Sequence, residues 1–136
     1  MRPQQVLHSS ALAAILILCL AGCAQQAGPT VLAQFRLRAD STDTIRVRIS
    51  APAAIAQADS LLRTQQVSIV TGVPQSGDGG YNTPWHWHLD PATVAFAEIT
   101  IEACQTTVRN FEAHLPSWQQ PPSRICIFSS VQAREF

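Results

Sequence analysis

The sequence predicts one small α+β domain, residues 31–136, with an antiparallel or mixed sheet of about four to five strands, two packing helices and one disulfide. Apolar and polar residues alternate over 31–38 and again over 45–49, which is the period of strands with one buried face. Apolar residues recur at helical spacing in two later segments. The predicted order, β-β-α-β-(β)-β-α-β, lacks the regular alternation of a parallel α/β fold.

The elements are predicted in order along the chain. A turn at 40–43 joins the two alternating strands into a hairpin. Pro52 suits the first turn of a helix, with Ser50 or Ala51 at the cap position and an end near residue 63 or 64. The remaining predicted elements are a strand Val67–Val73, a loop Pro74–Pro84, a short segment Trp85–Leu89, a strong strand Val94–Cys104, a helix capped by Thr106 or Thr107 and ending near Trp118, and a last strand Arg124–Val131.

The N-terminus has the features of a secretory signal. An apolar run over residues 11–20 is too short to cross a hydrocarbon core, which needs about 20 residues. Leu20-Ala21-Gly22-Cys23 then resembles the lipobox of bacterial lipoproteins. The resemblance implies that residues 1–22 are a lipoprotein signal peptide, that Cys23 is lipidated, and that residues 23–30 form a tether. A plain signal peptide followed by a coincidental cysteine is the alternative.

The lipobox resemblance implies a protein of the cell envelope, held to the membrane through lipid on Cys23. Ala24 stands where an aspartate would retain a lipoprotein at the inner membrane, so the outer membrane is predicted. The chain has nine basic and nine acidic residues, and this balance gives no support to nucleic-acid binding. A protein partner in the envelope or outside the cell remains open, and no cofactor is predicted.

The cysteines predict one disulfide. Of the four, Cys19 leaves with the signal and Cys23 carries lipid, so Cys104 and Cys126 remain in an oxidising compartment. Their bond would close a loop of about 20 residues and contribute about 3 kcal/mol. A pair of metal thiolates or two free thiols are the alternatives.

Four arginines are predicted to share the solvent-exposed face of the hairpin, where like charges opposite one another repel. They are Arg36, Arg38, Arg46 and Arg48. One interpretation is an anion site for lipid phosphate, lipopolysaccharide or an acidic partner. The other is a surface ladder with Glu98 and Glu102, formed if the strand Val94–Cys104 lies beside the hairpin.

The segment Trp85–Asp90 contains several side chains that could bind a metal ion or take part in catalysis. In an extended chain His86, His88 and Asp90 point to one side, a set that can hold zinc or copper. A metal-dependent hydrolase would need a further ligand and a base, for which His114 or Glu112 is available. Alternatively, the tryptophans belong to the core and the histidines to the surface. No Gly-x-Ser-x-Gly elbow is present, so no catalytic residue is predicted, and the glycines of 77–80 indicate a turn.

The stretch from Gly80 to Pro91, followed by Phe96 to Cys104, is similar to a family of small secreted or lipid-anchored bacterial domains with the pattern N-x-P-W-x-W-H-x-D-P…T-I-E-x-C. Cys126 matches a second cysteine near their C-terminus. The resemblance implies either a ligand site or a scaffold at Trp85, Trp87, His88, Asp90, Pro91 and Glu102. This chain departs from the pattern at His86, after Cys104 and after Cys126.

The function predicted from these observations is a non-enzymatic binding or inhibitor-like domain on a lipid anchor. Its functional surface is expected at the loop Gly77–Pro84 and the segment that follows. The predicted binding residues are Asp78, Tyr81, Asn82, Trp85, Trp87, His88 and Asp90. The competing function is a metal-dependent hydrolase, or a metal-binding protein, that uses His86, His88 and Asp90.

Overall fold

The structure, a computed structural model, describes residues 28–38, 40–98, 107–120 and 124–135. The predictions for the signal peptide, for Cys23 and for Cys104 lie outside these residues, so the disulfide to Cys126 stays a prediction. The elements are β1 (Val31–Leu37), β2 (Thr44–Ile49), α1 (Pro52–Thr64), β3 (Val67–Gly72), β4 (Pro74–Ser76), β5 (Trp87–Leu89), β6 (Ala95–Ala97), α2 (Val108–Ala113), α3 (Leu115–Trp118) and β7 (Ile125–Glu135). Over the described ranges, no helix has both the length and the apolar character needed to span a bilayer.

Five strands form one sheet in the order β2-β1-β7-β3-β6, and every neighbouring pair is antiparallel. The strands β4 and β5 pair separately, as a small two-stranded sheet. The small α+β domain predicted from the sequence is thereby confirmed, with an antiparallel sheet.

The core lies on one face of the five-stranded sheet. Alternate residues of β1 and β2 are buried there, as the period-two pattern predicted. The helix α1 adds Ala54, Ala58 and Leu61 to this core, and α2 adds Val108 and Phe111. The opposite face of the hairpin carries the arginines and is exposed to solvent.

The first helix agrees with its prediction, whereas the second does not. The helix α1 has Ala51 at its cap and ends at Thr64. The predicted helix up to Trp118 begins at the predicted cap Thr107 but divides at His114 into α2 and α3. Pro116 is the cause, because proline lacks the amide hydrogen and clashes with the carbonyl four residues before it.

The prediction for residues 74–104 needs one further correction, and its long strand is covered only in part by the described residues. Pro74–Ser76, predicted as part of a loop, forms β4 and pairs with Trp87–Leu89. A proline is tolerated there because it is the first residue of the strand. The predicted long strand from Val94 is a strand only over Ala95–Ala97 within the described residues, and its continuation beyond Glu98 lies outside them.

Candidate functional site

The segment Tyr81–Leu89 covers the outer edge of β2. The indole Nε1 of Trp85 donates to the carbonyl oxygen of Thr44 at 2.8 Å. Two residues along the strand, the Asn82 Oδ1 accepts from the backbone amide of Arg46, also at 2.8 Å. The hydroxyl of Tyr81 donates to the carbonyl oxygen of Leu89 at 3.4 Å, within the segment itself. Alternate residues of an edge strand direct their polar groups outward, so the side chains of Trp85 and Asn82 serve two successive outward positions.

Two of the predicted binding residues are internal. Asn82 is 1% exposed, and its Nδ2 donates to the carbonyl oxygen of Trp87 at 2.8 Å. Trp87 is fully buried and meets the ring of Phe111 edge-on, with centroids 4.7 Å apart. Both side chains support the segment from inside the fold in this structure, and a binding role for them stays a prediction.

Tyr81 and Asp78 also hold the segment together. Burial raises the pKa of the Tyr81 hydroxyl, while the Arg48 guanidinium, 4.7 Å from the centre of the ring, acts in the opposite direction. The Asp78 carboxylate accepts from the amide of Gly80 at 2.9 Å and so fixes the predicted turn. Gly79 has φ +64, and a Cβ there would lie 2.7 Å from the Tyr81 ring, so this position requires glycine.

The three members of the predicted metal set have three separate partners. His86 Nδ1 lies 2.5 Å from Glu112 Oε1, and the His86 side chain is 85% exposed. His88 Nδ1 donates to the carbonyl oxygen of Gly77 at 2.7 Å. The Asp90 carboxylate accepts from the amide of Ala92 at 3.0 Å and closes a turn. Among the described residues, no three His, Cys, Asp or Glu side chains are grouped so that they could hold a metal ion.

A cleft of about 370 Å³ opens where the hairpin turn, the loop before β5 and the helix α2 meet. Its size lies within the range of small-molecule and side-chain pockets. The lining residues are Thr42, Asp43, Thr44, Pro84, Trp85, Arg109 and Glu112. Of the predicted binding residues, Trp85 is the one that this cleft includes.

An ion pair forms one wall of the cleft. Asp43 is only 8% exposed, and its Oδ1 accepts from Arg109 Nη2 at 2.7 Å, whereas the Arg109 side chain is 68% exposed. Backbone hydrogen bonds hold Asp43 in the turn, because its amide donates to Asp40 and its carbonyl accepts from Leu37. Most of the Asp43 charge is therefore removed from water and faces a single guanidinium.

Glu112 also lines the cleft and lies one helical turn after Arg109, on the same face of α2. Its two carboxylate oxygens each lie 3.2 Å from the backbone nitrogen of His86, and one contacts the imidazole. The cleft thus carries two carboxylates, from Asp43 and Glu112, and one guanidinium. Sequence reasoning missed Asp43 and Arg109, which are 66 residues apart.

The arginine face differs from its prediction in two respects. The register places Arg46 opposite Gln34 and Arg48 opposite Leu32, so the arginines are staggered instead of directly opposed. Also, β6 lies at the other edge of the sheet, separated from β1 by β7 and β3. Glu98 follows β6 there, so the predicted ladder of glutamates between the arginines is wrong for this residue; Glu102 lies outside the described residues.

Comparison with known proteins identifies a family. No curated protein and no solved structure matches the chain. The family model of the BP-74 N-terminal domain matches residues 31–136, which is the larger part of the sequence and includes the hairpin, the Tyr81–Leu89 segment and the cleft. The chain therefore belongs to the family of the BP-74 N-terminal domain.

Proposed function

We propose that this chain is a lipid-anchored protein of the cell envelope whose domain binds a partner, without catalysis, in the cleft between the hairpin turn and α2. The observation that carries the proposal is the cleft itself, about 370 Å³ in volume and lined by the Asp43–Arg109 pair, Glu112 and Trp85. Concave sites with a few convergent polar groups are the usual place for binding.

The charges of the cleft favour a cationic group. Asp43 and Glu112 supply two negative charges and Arg109 supplies one positive charge, which leaves one net negative charge. Trp85 also borders the cleft, where 9% of its surface is exposed. A lysine or arginine side chain of a protein partner fits this combination, in agreement with a binding or inhibitor-like domain.

Peptide binding tests the cleft. The mature chain carrying Cys23→Ala, secreted without lipid, is incubated with an array of peptides that differ in lysine and arginine content. Basic peptides are expected to bind, and Asp43→Asn or Glu112→Gln is expected to weaken binding at least about tenfold, because each removes a charge from the pocket.

Glu98→Gln is the matched control, since it removes the same charge from an exposed position at the opposite edge of the sheet. It is expected to bind as the wild type does. Equal binding by all variants, or a preference for acidic peptides, would contradict the proposal for the cleft.

Labelling with radioactive palmitate tests the anchor separately. The full chain is expected to incorporate label and to sediment with membranes, whereas Cys23→Ala is expected to lose the label and remain in the soluble envelope fraction. Cys19→Ala is the control, because it removes a cysteine of the predicted signal and keeps the acceptor. Label that persists in Cys23→Ala would contradict lipidation at this residue.

A further inference from the structure

The outer face of the hairpin, formed by Arg36, Arg38, Arg46 and Arg48, carries positive charge that the described residues leave largely uncompensated. All four side chains are exposed. None takes part in the ion pairs found among the described residues, which join other side chains. Glu135 borders this face, on β7 opposite Leu32, and one carboxylate leaves the balance with the four arginines positive.

The arginines are arranged to bind several anions at once. Arg36, Arg46 and Arg48 each stand opposite a neutral residue in the neighbouring strand, namely Thr44, Gln34 and Leu32. Staggering separates the guanidinium groups and reduces their mutual repulsion. Each exposed planar group can then form paired hydrogen bonds with a phosphate oxygen pair, which is the geometry that arginine provides and lysine lacks.

The predicted anchor brings this face close to a membrane. Residues 23–30 number eight, so a fully extended tether spans at most about 28 Å. The tether leads directly into β1, which carries Arg36 on its exposed face. A basic surface held this near to a bilayer meets the phosphate groups of anionic lipids before it meets any distant protein.

We infer that this arginine face docks on the anionic lipid surface of the membrane that carries the chain. The inference rests on the proposed lipid anchor, which would hold the face near the membrane. It does not depend on the proposed role of the cleft. Docking through the face of β1 and β2 would hold the domain at a fixed orientation, instead of leaving it free to rotate on the tether.

Vesicle co-sedimentation tests the inference. The mature chain with Cys23→Ala, which has no lipid of its own, is mixed with vesicles of phosphatidylglycerol and phosphatidylethanolamine, or of phosphatidylcholine alone. Binding is expected only to the anionic vesicles and is expected to weaken as salt is added. The double variant Arg36→Gln/Arg38→Gln is expected to bind about 25-fold more weakly, from about fivefold for each arginine.

The double variant is chosen because Arg48 contacts the Tyr81 ring and its loss would disturb the fold. Arg63→Gln is the matched control for the single variant Arg36→Gln, which is expected to bind about fivefold more weakly, since Arg63 is an exposed arginine on α1, the helix that packs on the core face. Equal binding to both kinds of vesicle, or unchanged binding by the double variant, would overturn the inference. Binding to soluble polyglutamate but not to vesicles would also overturn it, and would assign the face to an acidic protein. The co-sedimentation experiment uses protein without lipid. A negative result in it can therefore be distinguished from a negative result in the palmitate labelling, which tests the anchor.

Discussion

The Tyr81–Leu89 segment and the cleft differ in how their residues are distributed along the chain. The polar and aromatic side chains of the segment are close together in sequence, whereas the charged residues of the cleft are not. The segment contains a dense cluster of aromatic, imidazole and amide side chains, and several of them turn inward to hold the edge of β2 and the core. The cleft draws its charged residues from the turn after β1 and from α2, which are far apart in the chain. Conspicuous chemistry in one short segment therefore indicates a scaffold here, and the candidate binding surface is assembled by the tertiary fold.

The largest effect is expected from Asn82→Ala in the Tyr81–Leu89 segment. The substitution leaves the backbone amide of Arg46 and the carbonyl of Trp87 without their side-chain partner. Each buried group left unsatisfied costs about 1–3 kcal/mol, so the free energy of unfolding should fall by about 3 kcal/mol. Urea unfolding of the mature chain measures this change.

Gln57→Ala provides the control for Asn82, because it removes an amide from an exposed position of α1. Its effect is expected to stay within about 0.5 kcal/mol. A loss at Asn82 no greater than the loss at Gln57 would show that the segment does not support the fold, and its residues would return to the list of ligand contacts.

A smaller effect should separate the two histidines. His88→Ala removes a hydrogen bond to Gly77 and an edge contact with the Tyr81 ring, so a loss of about 1–2 kcal/mol is expected. His86→Ala removes an exposed pair with Glu112 and is expected to cost less than about 0.5 kcal/mol. Thermal unfolding with and without zinc measures both losses.

Thermal unfolding in the presence of zinc also tests the competing function, a metal site in the Trp85–Asp90 segment. The melting temperature of the wild type is expected to be the same with and without zinc, because His86, His88 and Asp90 have separate partners. A zinc-dependent rise in melting temperature that disappears in both histidine variants would instead support a metal site in the Trp85–Asp90 segment.

The smallest effect concerns the turn that borders the cleft. Hydrogen bonds from the Thr42 hydroxyl and, next, from the Thr42 amide hold the pKa of Asp40 below its ordinary value of 3.8. A lowered pKa in the folded state stabilises the protein above the unfolded value, and this contribution is lost as the pH falls through the lowered pKa. Carboxyl NMR titration should show the pKa of Asp40 moving upward in Thr42→Val, which keeps the amide and removes the hydroxyl. An unchanged pKa would show that the hydroxyl does not organise this turn.

Much of the fold was predictable because it depends on local pattern. The alternation of β1 and β2, the proline at the start of α1 and the Thr107 cap are each visible within a few residues. The division of the second helix was also within reach of the sequence, since Pro116 marks it. The position of β6 was not, because strand order is decided by long-range packing that no local period encodes.

The candidate site was less predictable for the same reason. Asp43 stands in an ordinary turn sequence, and Arg109 follows a helix cap as many exposed arginines do. Their ion pair depends on α2 packing beside the end of the hairpin. Trp85 was predicted as a binding residue, and the fold adds a reason for its position, the bond to Thr44.

The cover on β2 also bears on how neighbouring copies behave. An edge strand with free amides and carbonyls accepts another strand, and the proposed lipid anchor would bring copies of this chain together on one membrane. Here the Arg46 amide and the Thr44 carbonyl are already bonded to Asn82 and Trp85. Copies of this domain are therefore hindered from adding a strand of a neighbour at the β2 edge.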